Sequence, residues 1–179
     1  MIIGFNGYAR SGKDSAARVL IEDYGFKRIA FADKIRAVLW DLNPLIDEGF
    51  PLQEAVEMYG WDDAKVAFPE IRRLLQELGV SARDCLHQDV WVNAALKDIV
   101  KDEDYVVTDV RFVNEVAALR SLNAKFALIH RPGVTAVNSH ISEYALKDFT
   151  PDYVIDNSGS LEALNLKVKD FLKEIQYAK

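Results

Sequence analysis

The chain has 179 residues, half of them hydrophobic and 28% charged, with a net charge of -6. That length supports one domain with a substantial core, and the composition is that of an ordinary globule. The negative balance excludes a protein that coats a duplex with a basic face, so no stable nucleic-acid binding is expected. The single Cys85 rules out an internal disulfide and fits a reducing cytoplasm. His87, His130 and His140 lack metal-ligand spacing. No apolar run reaches membrane-spanning length and no leader precedes the first strand, so a cytoplasmic protein without membrane attachment is expected.

Ile2-Ile3-Gly4-Phe5 reads as a central strand, apolar on both faces. Gly7-Tyr8-Ala9-Arg10-Ser11-Gly12-Lys13-Asp14-Ser15 follows, and Ala16 to Ile21 opens a helix that runs to about Tyr24 and stops at Gly25. Strand, glycine loop and helix form the context of a phosphate-binding loop. Gly7 and Gly12 let the backbone bend, and the amides between them, Ser11 included, turn toward phosphate oxygens. The helix adds its positive N-terminal end, and Lys13 adds a mobile charge for the β- and γ-phosphates. Asp14 stands where the hydroxyl ligand of Mg²⁺ normally sits, with Ser15 next. A carboxylate is a good hard ligand for that ion. The competing reading of Asp14 is a residue that favours the first turn of a helix.

Lys27 to Phe31 reads as a second strand. A helix then opens at Ala32-Asp33-Lys34, with Ile35, Val38 and Leu39 on one face, and Asn43-Pro44 ends it. Asp33 is a helix cap or, at the carboxyl end of a strand, a ligand-site acid. From Pro44 to about Val100 the pattern is helical and without strands, far longer than a crossover needs. Ile71, Leu74, Leu75 and Leu78 form an apolar stripe and Gly79 closes that helix; Val92, Leu96 and Val100 mark the next. Arg72, Arg73, Gln76 and Arg83 offer donors for an anionic second substrate, or a solvated helix face.

Tyr105 to Asp109 reads as a third strand ending in an acid, the second half of a nucleotide-site pattern in which Asp109 holds Mg²⁺ directly or through water. Arg111 is placed to clamp a phosphate, or to pair with Asp109 or Glu115. Lys125 to His130 is a fourth strand. Arg131 starts a lid over about 131–142, and a short helix follows at Ser142 to Leu146. Tyr153 to Ile155 is a fifth strand. Asp156 to Ser160 turns into a last helix, capped by Ser158 or Ser160, with Leu161, Leu164, Val168, Phe171 and Ile175 as its stripe. The alternation predicts an α/β fold: a three-layer, doubly wound, five-stranded parallel sheet with a helical insertion at about 44–100. Lys13, Asp33, Asp109, Arg111 and Arg131 all fall in loops at the carboxyl edge, a charge pattern suited to phosphoryl transfer.

These stretches resemble the phage deoxynucleoside monophosphate kinases, in the adenylate-kinase-like branch of P-loop kinases. The resemblance rests on Arg10-Ser11-Gly12-Lys13-Asp14, Phe31-Ala32-Asp33, Arg73 to Gly79, Trp91-Val92, Thr108 to Glu115 and Asp156 to Leu161. They span nearly the whole chain in order; the glycine loop with Asp14 and the Asp109 to Glu115 run are the most specific. The resemblance implies ATP as donor, Mg²⁺ as cofactor held by Asp14 and Asp109, and a deoxynucleoside monophosphate as acceptor. It implies an acceptor on the helical insertion and adenine near Asn157 and Gly159; within a single 1–179 kinase domain the acceptor candidates are Asp33, Arg36, Arg72, Arg73, Gln76, Arg83, Trp91 and Glu143. Lys34 and Val113 replace prolines frequent in the family. The lid is poor in arginine, so transferred charge falls on Arg10, Arg111 and Arg131 beside Lys13. Members are often dimers, so a homodimer is the expected assembly; a phage-encoded member works in the host cytoplasm. A kinase of a hydroxyl acceptor (dephospho-coenzyme A or a nucleic acid 5′ end), with Asp33 as base, and a non-catalytic nucleotide switch are the competing functions.

Overall fold

The computed structural model describes residues 1–136 and 139–177. In chain order the elements are β1 (Ile2–Asn6), α1 (Lys13–Tyr24), β2 (Lys27–Ile29), α2 (Phe31–Leu42), β3 (Leu45–Asp47), β4 (Phe50–Pro51), α3 (Leu52–Ala67), α4 (Pro69–Cys85), α5 (Val90–Leu96), β5 (Tyr105–Val107), α6 (Val113–Ser121), β6 (Lys125–His130), β7 (Tyr153–Asp156) and α7 (Leu161–Tyr177). They fall into two units, residues 1–30 with 96–179, and residues 31–95.

The first unit is the expected α/β fold: a five-stranded sheet in the order β2-β5-β1-β6-β7, every pair parallel, with flanking helices. The central strand is β1, and the alternation of its side chains explains its sequence. Ile3 and Phe5 enter a core with Ala16, Ala17 and Leu20 of α1 and Leu164, Val168 and Phe171 of α7. Between them Gly4 meets Phe126, where a Cβ would lie 2.7 Å from the ring. Fully burying each large apolar side chain contributes about 1.5–3 kcal/mol. Leu161, read as part of the α7 stripe, is exposed, and Leu172 takes the buried place. Gly25 ends α1 in the left-handed region at φ 73, as its position predicts. Ser160 caps α7 through its Oγ, which accepts from Ala163 N at 3.3 Å.

The second strand is shorter than its sequence suggests. Its ladder ends where Thr108 N donates to Ile29 O, and Phe31 is already helical and buried. The run from Lys27 to Phe31 thus spans a strand and a helix start. The lid region holds a 3-10 turn at Ile141–Glu143, followed by turns in place of the expected helix to Leu146. Val137 and Asn138 of the expected lid lie outside the described residues.

The second unit is helical with one departure. Its core joins Leu39, Ile46, Leu52, Ala55, Val56, Ala64 and Ile71, with Leu74, Leu75 and Leu78 packed against them. The α4 stripe is therefore the buried face that its spacing predicts. The departure is an antiparallel hairpin of β3 and β4 around Glu48-Gly49, both at positive φ, in a stretch read as strand-free. Gly79 does not close α4, which continues to Cys85. It is a close-approach glycine: a Cβ there would lie 3.2 Å from Ile35 Cδ1. Its carbonyl accepts the Trp91 indole N–H at 2.8 Å. Val100 falls outside α5, which stops at Leu96.

Candidate active site

Register builds the first unit's site. Gly4 of β1 lies level with Val107 of β5, and Asn6 with Leu128 of β6. Val110 N also donates to Phe5 O at 3.3 Å. The glycine loop after β1, Asp109 and Arg111 after β5, and Arg131 after β6 therefore leave the same edge of three adjacent strands. This is where ligands bind in open α/β sheets.

The loop has the geometry that its glycines predict. Gly7 has φ 137, Gly12 has φ 103, and Arg10 also adopts positive φ. A Cβ on Gly7 would lie 2.5 Å from Ile129 O, and one on Gly12 2.4 Å from Asn157 Nδ2. Lys13 is buried, and its ammonium donates to Gly7 O at 2.8 Å and Tyr8 O at 2.7 Å. The side chain thus folds back over its own loop, and its charge sits inside the curve. Asp14 is exposed in the first turn of α1, Ser15 is half-buried, and Arg10 is exposed.

A cavity of about 200 Å³ adjoins the loop. Asn6, Gly7, Ser11, Arg111, Arg131 and Ser142 are among its lining residues. Arg111 Nη1 donates to Ser142 Oγ at 3.5 Å, and that oxygen lies 2.9 Å from His140 Nδ1. The backbone at Arg111 is fixed by buried Glu115, whose Oε2 accepts from Arg111 N at 2.7 Å and Phe112 N at 3.0 Å. A carboxylate at the start of α6 also meets the positive end of that helix. Glu115, considered in the sequence as a partner for the Arg111 side chain, also holds the backbone on either side.

Asn157 sits directly against the glycine loop. It is buried, its Nδ2 donates to Ser11 O at 2.8 Å, and its own N donates to His130 O at 2.7 Å. It braces the glycine loop against the end of β6. Gly159 is exposed at the turn before α7.

Asp14 and Asp109 supply oxygen donors of the type Mg²⁺ takes. Among the described residues no group of three or more His, Cys, Asp or Glu could hold a metal. Two carboxylates suit an ion that is usually held by one or two of them plus phosphate and water. The donor set therefore fits Mg²⁺ bound together with a nucleotide.

The second unit has its own cleft of about 300 Å³, lined by Asp33, Arg36, Ala37, Trp40 and Trp61. Arg36 lies over the Trp61 ring at 5.6 Å, a cation–π distance. Its guanidinium reaches Asp33 at 3.5 Å and Asp62 at 3.6 Å, both long, and its Nε is buried without a partner. Asp62 binds Lys65 at 2.7 Å. Burial first, then the Arg36 and Arg72 charges, push the Lys65 ammonium below its ordinary pKa despite that bond. Arg36, Lys65 and Arg72 thus form one cationic group. Trp61, Asp62 and Lys65 complete it without a motif; their only signal is i,i+4 spacing of Trp61 and Lys65 on α3.

The other acceptor residues separate. Arg73 is exposed and its Nε donates to Glu70 at 2.7 Å, with Glu77 on its other side. That is the solvated-face arrangement. Gln76 is half-buried and Arg83 is buried near the end of α4. Trp91 is buried and committed to Gly79 O. The side chain of Glu143 lies outside the described residues.

Residues 61–168 match the model of the family described as deoxynucleotide monophosphate kinase. A protein of Acanthamoeba polyphaga mimivirus is 28% identical over 90% of this chain and 91% of its own. The deoxynucleotide monophosphate kinase of Escherichia phage RB69 is 37% identical over 58% of this chain and 45% of its own. Among solved structures, the dephospho-CoA kinase of Campylobacter jejuni aligns over 99% of this chain and 98% of its own, at a TM-score of 0.48 and 16% identity.

Proposed function

This chain belongs to the deoxynucleotide monophosphate kinase family, and we propose that it moves the γ-phosphate of ATP, with Mg²⁺, to a deoxynucleoside monophosphate. The product is the diphosphate, a precursor for DNA synthesis. The observation that carries this reading is the buried Lys13 ammonium held on the carbonyls of its own glycine loop, beside a cavity that Arg111 and Arg131 also line.

The chemistry asks for positioning and charge neutralisation. An oxygen of the acceptor phosphate attacks the γ-phosphorus. The bond to the β-phosphate oxygen breaks, and ADP leaves with the electron pair. The attacking group is already an anion, so no strong general base is needed, and Asp33 serves to orient the sugar. Lys13 exchanges its two carbonyl acceptors for phosphate oxygens. Arg10, Arg111 and Arg131 meet the charge that spreads over the transferring group. Asp14 and Asp109 would hold Mg²⁺, which when bound neutralises phosphate charge. The helical insertion receives the acceptor. There Arg36, Lys65 and Arg72 suit its phosphate, and the faces of Trp61 and Trp40 suit its base.

The test is a coupled ADP-release assay with the four deoxynucleoside monophosphates, dephospho-coenzyme A and a 5′-hydroxyl oligonucleotide. Turnover confined to one or more deoxynucleoside monophosphates is expected. Turnover with a hydroxyl acceptor alone would replace this reading, and nucleotide binding without turnover of any acceptor would make the protein a switch.

A further inference from the structure

Asn6 is the last residue of β1, is 7% exposed, and lines the cavity beside the glycine loop. Its carboxamide oxygen is buried and has no hydrogen-bond partner, and the hydroxyl of Ser11, across Gly7, has none either. A buried acceptor left unpaired costs roughly 1–3 kcal/mol. A core position on a central strand would ordinarily carry an apolar residue, as Ile3 and Phe5 do on the same strand. The polar side chain therefore works against stability at this place. The cavity is charged for an anion, since Arg111 and Arg131 line it and Lys13 sits in the adjoining loop. A carboxamide brings a donor N–H to such a cavity without adding negative charge. With its oxygen bound to no protein group, the amide is not tied to one orientation.

We infer that Asn6 is a ligand of the transferring phosphoryl group, its side-chain N–H donating to a phosphate oxygen in this cavity. The inference rests on the kinase reading above and adds a residue that no motif in the sequence marks.

The experiment compares Asn6→Leu, Asn6→Asp and Asn6→Ser with the parent protein. Leucine has nearly the shape of asparagine and removes the unpaired oxygen. Asn6→Leu should melt at or above the parent temperature in the absence of nucleotide. Its kcat should fall about tenfold or more, with KM for the deoxynucleoside monophosphate unchanged. A residue that only supports the fold, or that an ordered water satisfies, gives the opposite split: lower melting temperature and parental kcat per folded molecule. That result overturns the inference. Where Asn6→Leu does not fold, the two polar variants decide. Asn6→Asp sets a carboxylate against phosphate and should lose more kcat than Asn6→Ser; equal rates overturn the inference. Calorimetric titration with a non-hydrolysable ATP analogue separates the two readings. If the parent binds the analogue but turns over no acceptor, the kinase reading falls. Asn6→Asp must then still bind about tenfold more weakly, and equal binding overturns the role of Asn6.

Discussion

Gly12 and Asn157 compete for one space, and their coupling can be measured. In Gly12→Ala the new methyl would sit 2.4 Å from Asn157 Nδ2, and the backbone would hold alanine at φ 103. The backbone strain is about 1–3 kcal/mol. Asn157 would have to move off Ser11 O, a buried bond of 2.8 Å whose loss costs another ~1–3 kcal/mol. Asn157→Ala alone loses that same bond. The double variant suffers the strain and one lost bond, not two. Its destabilisation should therefore fall short of the sum of the single losses by about 1–3 kcal/mol. Urea unfolding followed by circular dichroism is the assay, since Trp40, Trp61 and Trp91 all lie in residues 31–95 and report on the other unit. Additivity within about 0.5 kcal/mol would refute the shared-space argument.

Lys13→Ala should lower kcat by about a hundredfold or more with the circular dichroism spectrum retained; near-parental turnover would remove the loop lysine from the mechanism. Asp14→Asn should raise the Mg²⁺ concentration for half-maximal rate more than it changes KM for the acceptor; coincident titration curves would leave Asp14 as a helix-start residue. Arg36→Ala, Lys65→Ala and Arg72→Ala should each raise KM for the deoxynucleoside monophosphate roughly ten- to 150-fold, with KM for ATP unmoved. Arg73→Ala, whose guanidinium is already taken by Glu70 and Glu77, should leave both constants near parental values, and a selective rise there would relocate the acceptor phosphate. Acid stability should report Asp152. Burial works to raise its pKa, but hydrogen bonds from Arg120 and Phe126 N outweigh it, so the folded value lies below 3.8. The group then stabilises the fold above that pH and loses its contribution as pH falls through the lowered folded value. Asp152→Asn should flatten the acid limb of a melting-temperature profile, and an unchanged limb would count against the assignment.

What could be read in the sequence had its cause nearby in the chain. The glycine loop, the strand before it and the helix after it are local patterns, as are the apolar strands and the α4 stripe. The hairpin at Leu45–Pro51 offers too little to read: strands of three and two residues, one of them ending in proline, show no alternation. Gly25 and Gly79 each follow an apolar stripe, yet they differ. Gly25 has positive φ and nothing within 4 Å of an added Cβ, whereas Gly79 is buried beneath Ile35 and binds Trp91 through its carbonyl. The difference is made by side chains on α2 and α5, not by the residues around either glycine. The same holds at the two asparagines. Asn6 and Asn157 each stand where a parallel strand runs out at its carboxyl end, and both are more than nine-tenths buried. Asn157, which the resemblance places near adenine, donates one amide N–H to Ser11 O. Asn6 has an oxygen that no protein group engages. Sequence position alone makes them equivalent; the bonds each side chain makes set them apart, one holding the loop in shape and the other, on the inference above, offering its N–H to phosphate.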